Sequence, residues 1–157
     1  MRRLTPACLA RSLTLTQRLA MVLPCLLWPA GNAMAACQID TRPVAFGVVD
    51  VTRQNDSNGE IALTCSIATE VEVALSSSTA PGQRYMAGPS GGRLTYDLYP
   101  DATRSMPWGD GNGNSTTRVV TSDGDGTTRL PIYGRVPQQD AVPPGAYSDS
   151  LTVLVSF

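Results

Sequence analysis

The sequence predicts an all-β fold, an antiparallel sandwich of short strands. Apolar and polar residues alternate in several short runs, and no window sustains the periodicity of a helix. Turn-forming residues separate the runs, at Asn58-Gly59, Gly91-Gly92, Gly109-Asp110-Gly111, Asp123-Gly124-Asp125-Gly126 and Pro143-Pro144-Gly145. Strands of this length at this spacing favour a sandwich of the immunoglobulin type.

Three runs alternate clearly, from Glu60 to Cys65, from Glu70 to Leu75 and from Leu94 to Tyr99. The residues predicted to point inward are Ile61, Leu63, Cys65, Val71, Val73, Leu75, Leu94, Tyr96 and Leu98, with Glu70, Glu72, Thr95, Asp97 and Tyr99 outward. Thr127 to Val136 is also β-prone, although Pro131 indicates an edge strand or a bulge. The stretch from Gly109 to Asp125 has the weakest pattern and is predicted to be a long loop.

The sequence ends on a strand-like run from Leu151 to Phe157. Leu151, Val153, Val155 and Phe157 fall on one face of this run, and no turn or further strand follows it. This arrangement indicates a final strand that neighbours an unfilled position in the sandwich.

A secretory signal peptide is predicted over residues 1–35. Four arginines and no acidic residue open the chain, and an apolar run follows from Leu19 to Ala30. Ala33-Met34-Ala35 then supplies the small-residue pattern of a cleavage site. The apolar run is shorter than the roughly 20 residues of a membrane-spanning helix, so no span is expected. Residues 36–157 are then long enough for one domain with a modest core.

The part of the chain after Ala35 is acidic. It holds all 13 acidic residues but only eight of the 12 arginines, a net charge of −5, and the chain contains no lysine. Such a surface lacks the basic field that would attract nucleic acid or an anionic membrane. Neither is expected as a partner.

Two cysteines, Cys37 and Cys65, remain after cleavage of the signal peptide. An even number in an exported chain predicts a disulfide bond, which would restrict the unfolded chain by about 3.5 kcal/mol. Lipidation of Cys37 is the alternative, because two alanines precede it. Met34 fits that signal poorly, and lipidation would leave Cys65 unpaired.

The composition argues against an enzyme. There is no histidine and no lysine, which excludes Ser-His-Asp, Cys-His, Ser-Lys and Schiff-base chemistry and removes the commonest transition-metal ligand. Asp97, Asp101 and Asp110 could supply the carboxylate pair of a glycosidase. Solvated turns and strand ends are the simpler interpretation, so no catalytic residue, metal or cofactor is expected.

The segment that begins at Trp108 is the candidate for a surface-binding loop. Asp110, Asn112 and Asn114 place oxygen side chains at alternate positions, as a calcium loop does, but Ser115 and Thr121 stand where that loop has glycine and glutamate. Turn formation is therefore the favoured interpretation. Trp108 could stack on a sugar, yet a tryptophan in a small sandwich is more often in the core.

The ordered set of motifs resembles the spore coat protein U domain family, which is itself similar to the pilin subunits of archaic chaperone–usher pili. The motifs run along almost all of the chain after Ala35: Cys37, Phe46-Gly47, Thr64-Cys65, Arg84-Tyr85-Met86, Leu94-Thr95-Tyr96-Asp97-Leu98-Tyr99, Asp101-Ala102, Trp108-Gly109-Asp110-Gly111, Ile132-Tyr133-Gly134-Arg135-Val136-Pro137, Pro144-Gly145-Ala146-Tyr147-Ser148-Asp149 and the C-terminal strand.

The resemblance implies an immunoglobulin-like sandwich that lacks its last strand and takes part in donor-strand complementation. A periplasmic chaperone first supplies the strand, and a sibling pilin subunit replaces it during passage through an outer-membrane usher. The acceptor groove is expected to be flanked by Leu151, Val153, Val155 and Phe157. The implied location is the periplasm and then the cell surface, in a pilus or fimbrium that serves adhesion and biofilm formation.

The chain departs from the family at its amino-terminal end. Polymerising family pilins carry a donor segment before the first cysteine, whereas cleavage after Ala35 leaves only Ala36 there. This predicts a subunit that accepts a strand without donating one, as at a pilus tip or cap. The alternative function is a stand-alone secreted adhesin or glycan-binding sandwich that uses Trp108 and the following loop.

Overall fold

The computed structural model describes residues 36–124, 126–140 and 142–157, so the predicted signal peptide lies outside the described residues. Within these ranges the chain forms nine β-strands and one short 3-10 turn at Pro89–Gly91. The strands are β1 (Cys37–Arg42), β2 (Asn55–Cys65), β3 (Glu70–Ser76), β4 (Tyr85–Ala87), β5 (Arg93–Thr95), β6 (Asp97–Tyr99), β7 (Arg118–Thr121), β8 (Thr127–Val136) and β9 (Thr152–Ser156). No helix in the described ranges is long and apolar enough to cross a membrane.

The strands form two sheets and a separate hairpin, all antiparallel. The first sheet has the order β1-β2-β8-β6, the second has the order β7-β3-β9, and β4 pairs with β5. The prediction of an all-β antiparallel fold is confirmed.

The core lies between the inner faces of the two sheets. The alternation predicted for β2 and β3 is confirmed, because their inward residues are buried while Glu70 and Glu72 are exposed. The buried apolar residues are Ile61, Leu63, Cys65, Val71, Val73, Leu75, Leu94, Tyr96, Leu98, Trp108, Leu130, Ile132 and Val136. Each large apolar side chain buried in this way contributes roughly 1.5–3 kcal/mol to stability.

The predicted disulfide bond is present. Cys37 and Cys65 face each other as the first register pair of β1 and β2, with their Cα atoms 4.0 Å apart. The bond joins strands that are 28 positions apart in sequence and fixes one end of the first sheet. It also occupies the sulfur of Cys37 that lipidation would need.

The turn predicted at Asn58-Gly59 is wrong. Both residues lie inside β2, where they pair with Tyr133 and Ile132 of β8. A Cβ atom at residue 59 would lie 2.7 Å from the carbonyl oxygen of Arg42 and 2.8 Å from a methyl group of Val44. The glycine is needed for this close approach of another segment, not for a reversal of the chain.

The single strand predicted from Leu94 to Tyr99 is also wrong in part. It divides at Tyr96 into β5, which pairs with β4, and β6, which pairs with β8. Asp97, predicted to face solvent, is 7% exposed and lies against the fully buried Arg84, whose Nη1 donates to Asp97 Oδ1 at 2.9 Å. A buried guanidinium requires a carboxylate partner, and the alternation of apolar and polar residues along a strand does not predict such a pair.

Two further expectations need correction. The loop predicted from Gly109 to Asp125 contains β7, whose residues pair with Glu70–Val73 of β3. Pro131 does not place β8 at a sheet edge, because β8 lies between β2 and β6. However, β6 pairs only with Tyr133–Arg135, so among the described strands Pro131 has a neighbour only on the β2 side. Proline has no backbone N–H to donate, and on the β6 side no described strand lies opposite it to accept one.

Candidate functional site: an apolar groove beside the last strand

Strand β9 has one open edge. Among the described strands it pairs with β3 alone, in a register that joins Val155 to Val73 and Val153 to Leu75. Val153 and Val155 are half-buried and pack against the core. The opposite edge therefore presents backbone hydrogen-bonding groups to which another strand can pair.

A cavity of about 320 Å³ lies along this open edge. Leu151 and Val153 line it, together with Arg42 at the end of β1 and Val44 and Phe46 of the segment that follows β1. Core residues of both sheets also line the cavity, namely Ile61, Leu75, Leu98 and Ile132. The groove thus reaches the core of the sandwich.

The four residues predicted to flank an acceptor groove occupy different places. Leu151 and Val153 line the groove, whereas Val155 and Phe157 do not. Val155 packs against the core opposite Val73, and the side chain of Phe157 is 64% exposed beyond the end of β9. The structure brings the first two together with the segment after β1, which sequence reasoning did not include.

Two glycines explain why the segment after β1 reaches the core. A Cβ atom at Gly134 would lie 2.6 Å from Val44 and 2.8 Å from the ring of Phe46, and one at Gly59 would lie 2.8 Å from Val44. The absence of side chains at these positions lets both apolar residues lie on the first sheet. The hydroxyl of Ser57 donates to the carbonyl oxygen of Ala45 at 2.6 Å and holds the segment there.

Polar groups form part of the lining of the groove. The hydroxyl of Tyr96 donates to Asp149 Oδ2 at 2.7 Å, and the backbone N–H of Ser150 donates to Asp149 Oδ1 at 2.8 Å. Burial, and then the hydrogen bond to Asp149, raise the pKa of Tyr96 well above its usual range. Arg42 lines the same groove with an exposed guanidinium. The lining of the groove therefore includes one carboxylate and one cation.

A second cavity, of about 740 Å³, adjoins the groove. Its walls come from residues 44–51 and from residues 142–147, and it shares Val44, Phe46, Met86 and Tyr147 with the first cavity. Tyr147 donates its hydroxyl hydrogen to the carbonyl oxygen of Pro143 at 2.6 Å. The two cavities therefore share part of their lining.

The predicted surface-binding loop keeps three of its four residues at the surface. Trp108 is fully buried, and its Nε1 donates to the carbonyl oxygen of Val73 at 3.0 Å, so its ring is core and is not available to a sugar. Asp110, Asn112 and Asn114 are exposed. Hydrogen bonds from the side chain and backbone of Asn112 hold the pKa of Asp110 below its usual value.

The fold resembles that of a solved pilus component. A chain in the crystal structure of the CsuC–CsuE chaperone–tip adhesion subunit pre-assembly complex, from archaic chaperone–usher Csu pili of Acinetobacter baumannii, superposes with a TM-score of 0.54. The two chains are 22% identical, and the likeness covers 79% of the present chain. The present chain spans only 40% of the length of the solved one, and at this identity the likeness concerns the fold alone.

The sequence comparisons define the family. Protein U of Myxococcus xanthus is 27% identical over 147 residues, which cover 80% of each chain. The sequence model of the Spore Coat Protein U domain matches residues 30–154. The chain therefore belongs to the Spore Coat Protein U domain family.

Proposed function

We propose that this protein is an exported structural subunit of a surface pilus, and that it accepts a β-strand from another polypeptide along the open edge of β9. The observation that carries the proposal is the groove between β9 and the segment after β1, because core residues of both sheets line it. The fold of the solved Csu component and membership of the family support the same role.

Strand addition suits this groove physically. The free edge of β9 offers main-chain hydrogen bonds, and alternate side chains of the incoming strand fill the apolar cavity. Each apolar side chain that leaves water contributes roughly 1.5–3 kcal/mol. Without an occupant, the same edge and cavity promote aggregation. The occupant is therefore required for solubility as well as for assembly.

The partners that fit this requirement are a periplasmic chaperone, an outer-membrane usher and sibling pilin subunits. The chaperone supplies the first strand after export, and a sibling subunit replaces it at the usher. The path runs from the periplasm to the cell surface. This function needs no enzyme chemistry and no cofactor.

A terminal position in the pilus follows from the predicted cleavage site. Cleavage after Ala35 leaves one residue before Cys37, which is too short for a donated strand. The subunit would accept a strand without passing one on, and would then contribute to adhesion or biofilm formation at a tip or cap. Sequencing the mature amino terminus tests this, since ten or more residues before Cys37 would contradict it.

The test of strand acceptance is co-expression with a periplasmic chaperone of the archaic chaperone–usher class. The subunit alone should self-associate, and with the chaperone it should give a soluble one-to-one complex. Val153→Arg should prevent the complex, because this side chain lines the groove. Leu154→Arg is the matched control, because Leu154 is exposed on the opposite face of β9. A soluble, closed monomer that forms no complex would contradict the proposal.

A further inference from the structure

We propose that Asn112 is a site of spontaneous deamidation in the folded protein, and that Asn58, which stands in the same dipeptide, is protected by the fold. The sequence contains Asn-Gly at Asn58-Gly59 and at Asn112-Gly113. Glycine carries no side chain to hinder attack by its backbone nitrogen, so the two dipeptides are equally reactive in an unfolded chain. Any difference in the rate of deamidation between Asn58 and Asn112 must therefore come from the folded structure.

The reaction requires only water. The backbone nitrogen of the glycine attacks Cγ of the asparagine and loses its proton, while the side-chain amide group takes up a proton and leaves as ammonia. Water then opens the resulting succinimide at either of its two carbonyls and gives aspartate or isoaspartate. The nitrogen can attack only if the local backbone is free to rotate toward the side chain.

Asn112 lies where that rotation is less restrained than at Asn58: its backbone N–H donates to Asp110 Oδ1 at 3.0 Å and its carbonyl oxygen accepts from Ser115 Oγ at 2.8 Å, but no strand ladder holds it. Asn112 and Gly113 are exposed in the loop between Trp108 and β7, and Gly113 has a φ of 62°. A Cβ atom at residue 113 would meet no atom within 4 Å. The N–H of Gly113 takes part in none of the hydrogen bonds among the described residues. The side-chain Nδ2 of Asn112 donates to Asp110 Oδ2 at 3.1 Å, which engages only the departing nitrogen.

Asn58 lies where the rotation is blocked. Its side chain is exposed, like that of Asn112, but its backbone belongs to the ladder between β2 and β8. Gly59 is buried and pairs with Ile132, and it is enclosed by Arg42 and Val44. Rotation of its nitrogen toward Asn58 would break the ladder at the centre of the first sheet.

Deamidation would change the charge of the exposed loop. A carboxylate at residue 112 would replace the amide that donates to Asp110, so the pKa of Asp110 would rise from its lowered value. The loop would gain one negative charge beside an existing one. Residues 110–114 line neither cavity, so this proposal stands apart from the proposed function.

Peptide mapping by mass spectrometry tests the proposal. The purified chain, with or without a chaperone bound, is incubated at neutral pH and digested in acid, and a parallel sample is incubated in denaturant. We expect the Asn112 peptide of the folded sample to gain one dalton and to separate into aspartate and isoaspartate forms. The Asn58 peptide should remain unchanged until the chain is denatured, after which both should convert.

Gly113→Ala is the matched variant. The added methyl group meets no neighbour within 4 Å but hinders the attacking nitrogen, so conversion at Asn112 should slow several-fold. Because the φ of 62° at this position is strained for alanine, Asn112→Gln, which leaves glycine in place, is the second variant and should abolish conversion there. Equal conversion of Asn58 and Asn112 in the folded sample would overturn the proposal. So would an unchanged Asn112 in the folded sample under conditions in which the denatured chain converts at both positions.

Discussion

The hydroxyl of Tyr96 donates a hydrogen bond of 2.7 Å to Asp149, across the gap between the β5–β6 segment and the residues that enter β9. Burial raises the pKa of this tyrosine above its ordinary value of 10.0. A raised pKa in the folded state means that stability is fully present below the pKa of the unfolded chain and is lost as pH rises above it. The contact therefore makes the fold sensitive to alkali.

We predict that the free energy of unfolding falls as pH rises above 10.0. Tyr96→Phe should reduce this fall, and at neutral pH it should cost about 1 kcal/mol because Asp149 loses a donor. Denaturant unfolding over a range of pH values measures both effects. Tyr85→Phe is the matched removal of a hydroxyl group, because the ring of Tyr85 contacts Arg93 on the β4–β5 hairpin, whereas Asp149 accepts its hydroxyl hydrogen bond from Tyr96. Identical pH profiles for wild type and Tyr96→Phe would contradict the prediction.

The buried pair of Arg84 and Asp97 should be essential for stability. Arg84 also donates to the carbonyl oxygen of Leu75 at 3.2 Å, so it joins the β5–β6 segment to the second sheet. Arg84→Met should destabilise the protein by about 3–5 kcal/mol, because it leaves a buried carboxylate without its partner. Urea denaturation measures the loss. Arg53→Met, which removes an exposed ion pair with Asp50, should cost about 0–1 kcal/mol. If Arg84→Met and Arg53→Met both lowered the free energy of unfolding by a similarly small amount, the Arg84–Asp97 pair would not be essential for stability.

The disulfide bond should stabilise the domain chiefly by restricting the unfolded chain. Replacement of Cys37 and Cys65 by serine should lower the free energy of unfolding by about 3.5 kcal/mol. Thermal unfolding of wild type with and without a reductant provides the comparison. The reductant should lower the melting temperature of the wild type and leave that of the double variant unchanged. An equal melting temperature for all samples would show that the bond contributes nothing.

A methyl group at Gly134 should disturb the wall of the groove. Gly134→Ala places Cβ against Val44 and Phe46, so it should cost about 1–3 kcal/mol and reduce the yield of chaperone complex. Gly126→Ala is the matched control, because its nearest contact would be at 3.9 Å. Calorimetry and the yield of soluble complex measure the two effects. A Gly134→Ala variant with the stability and yield of wild type would mean that the segment moves away without cost.

Local alternation was enough to predict the central strands. The inward residues of β2 and β3 repeat every second position, and this pattern depends on no distant partner. The same alternation wrongly predicted that Asp97 faces solvent. Its partner Arg84 lies 13 positions away in sequence and in no shared strand, so the local pattern could not reveal the pair. A pair that forms through tertiary packing leaves no periodic signal.

The sequence predicted only the residues that β9 and its entry contribute to the lining of the groove. The face of the last strand indicated Leu151 and Val153, whereas Val44 and Phe46 belong to no regular element and show no alternation. Their signal lies in Gly59 and Gly134, which sequence reasoning treated as a turn residue and a family motif. Glycines in the interior of β-prone runs indicate close approach of another segment and could have revealed this wall.

The position of the disulfide bond also makes self-completion unfavourable. Cys37 is at the opposite end of β1 from Arg42, which lines the groove, and the five steps between them span ~17 Å. Any residues that precede Cys37 are thus attached at the remote end of the first sheet. They would have to reverse direction at Cys37 and run antiparallel to β1 to enter the groove of their own subunit, so a leader of a few residues is too short to fill it.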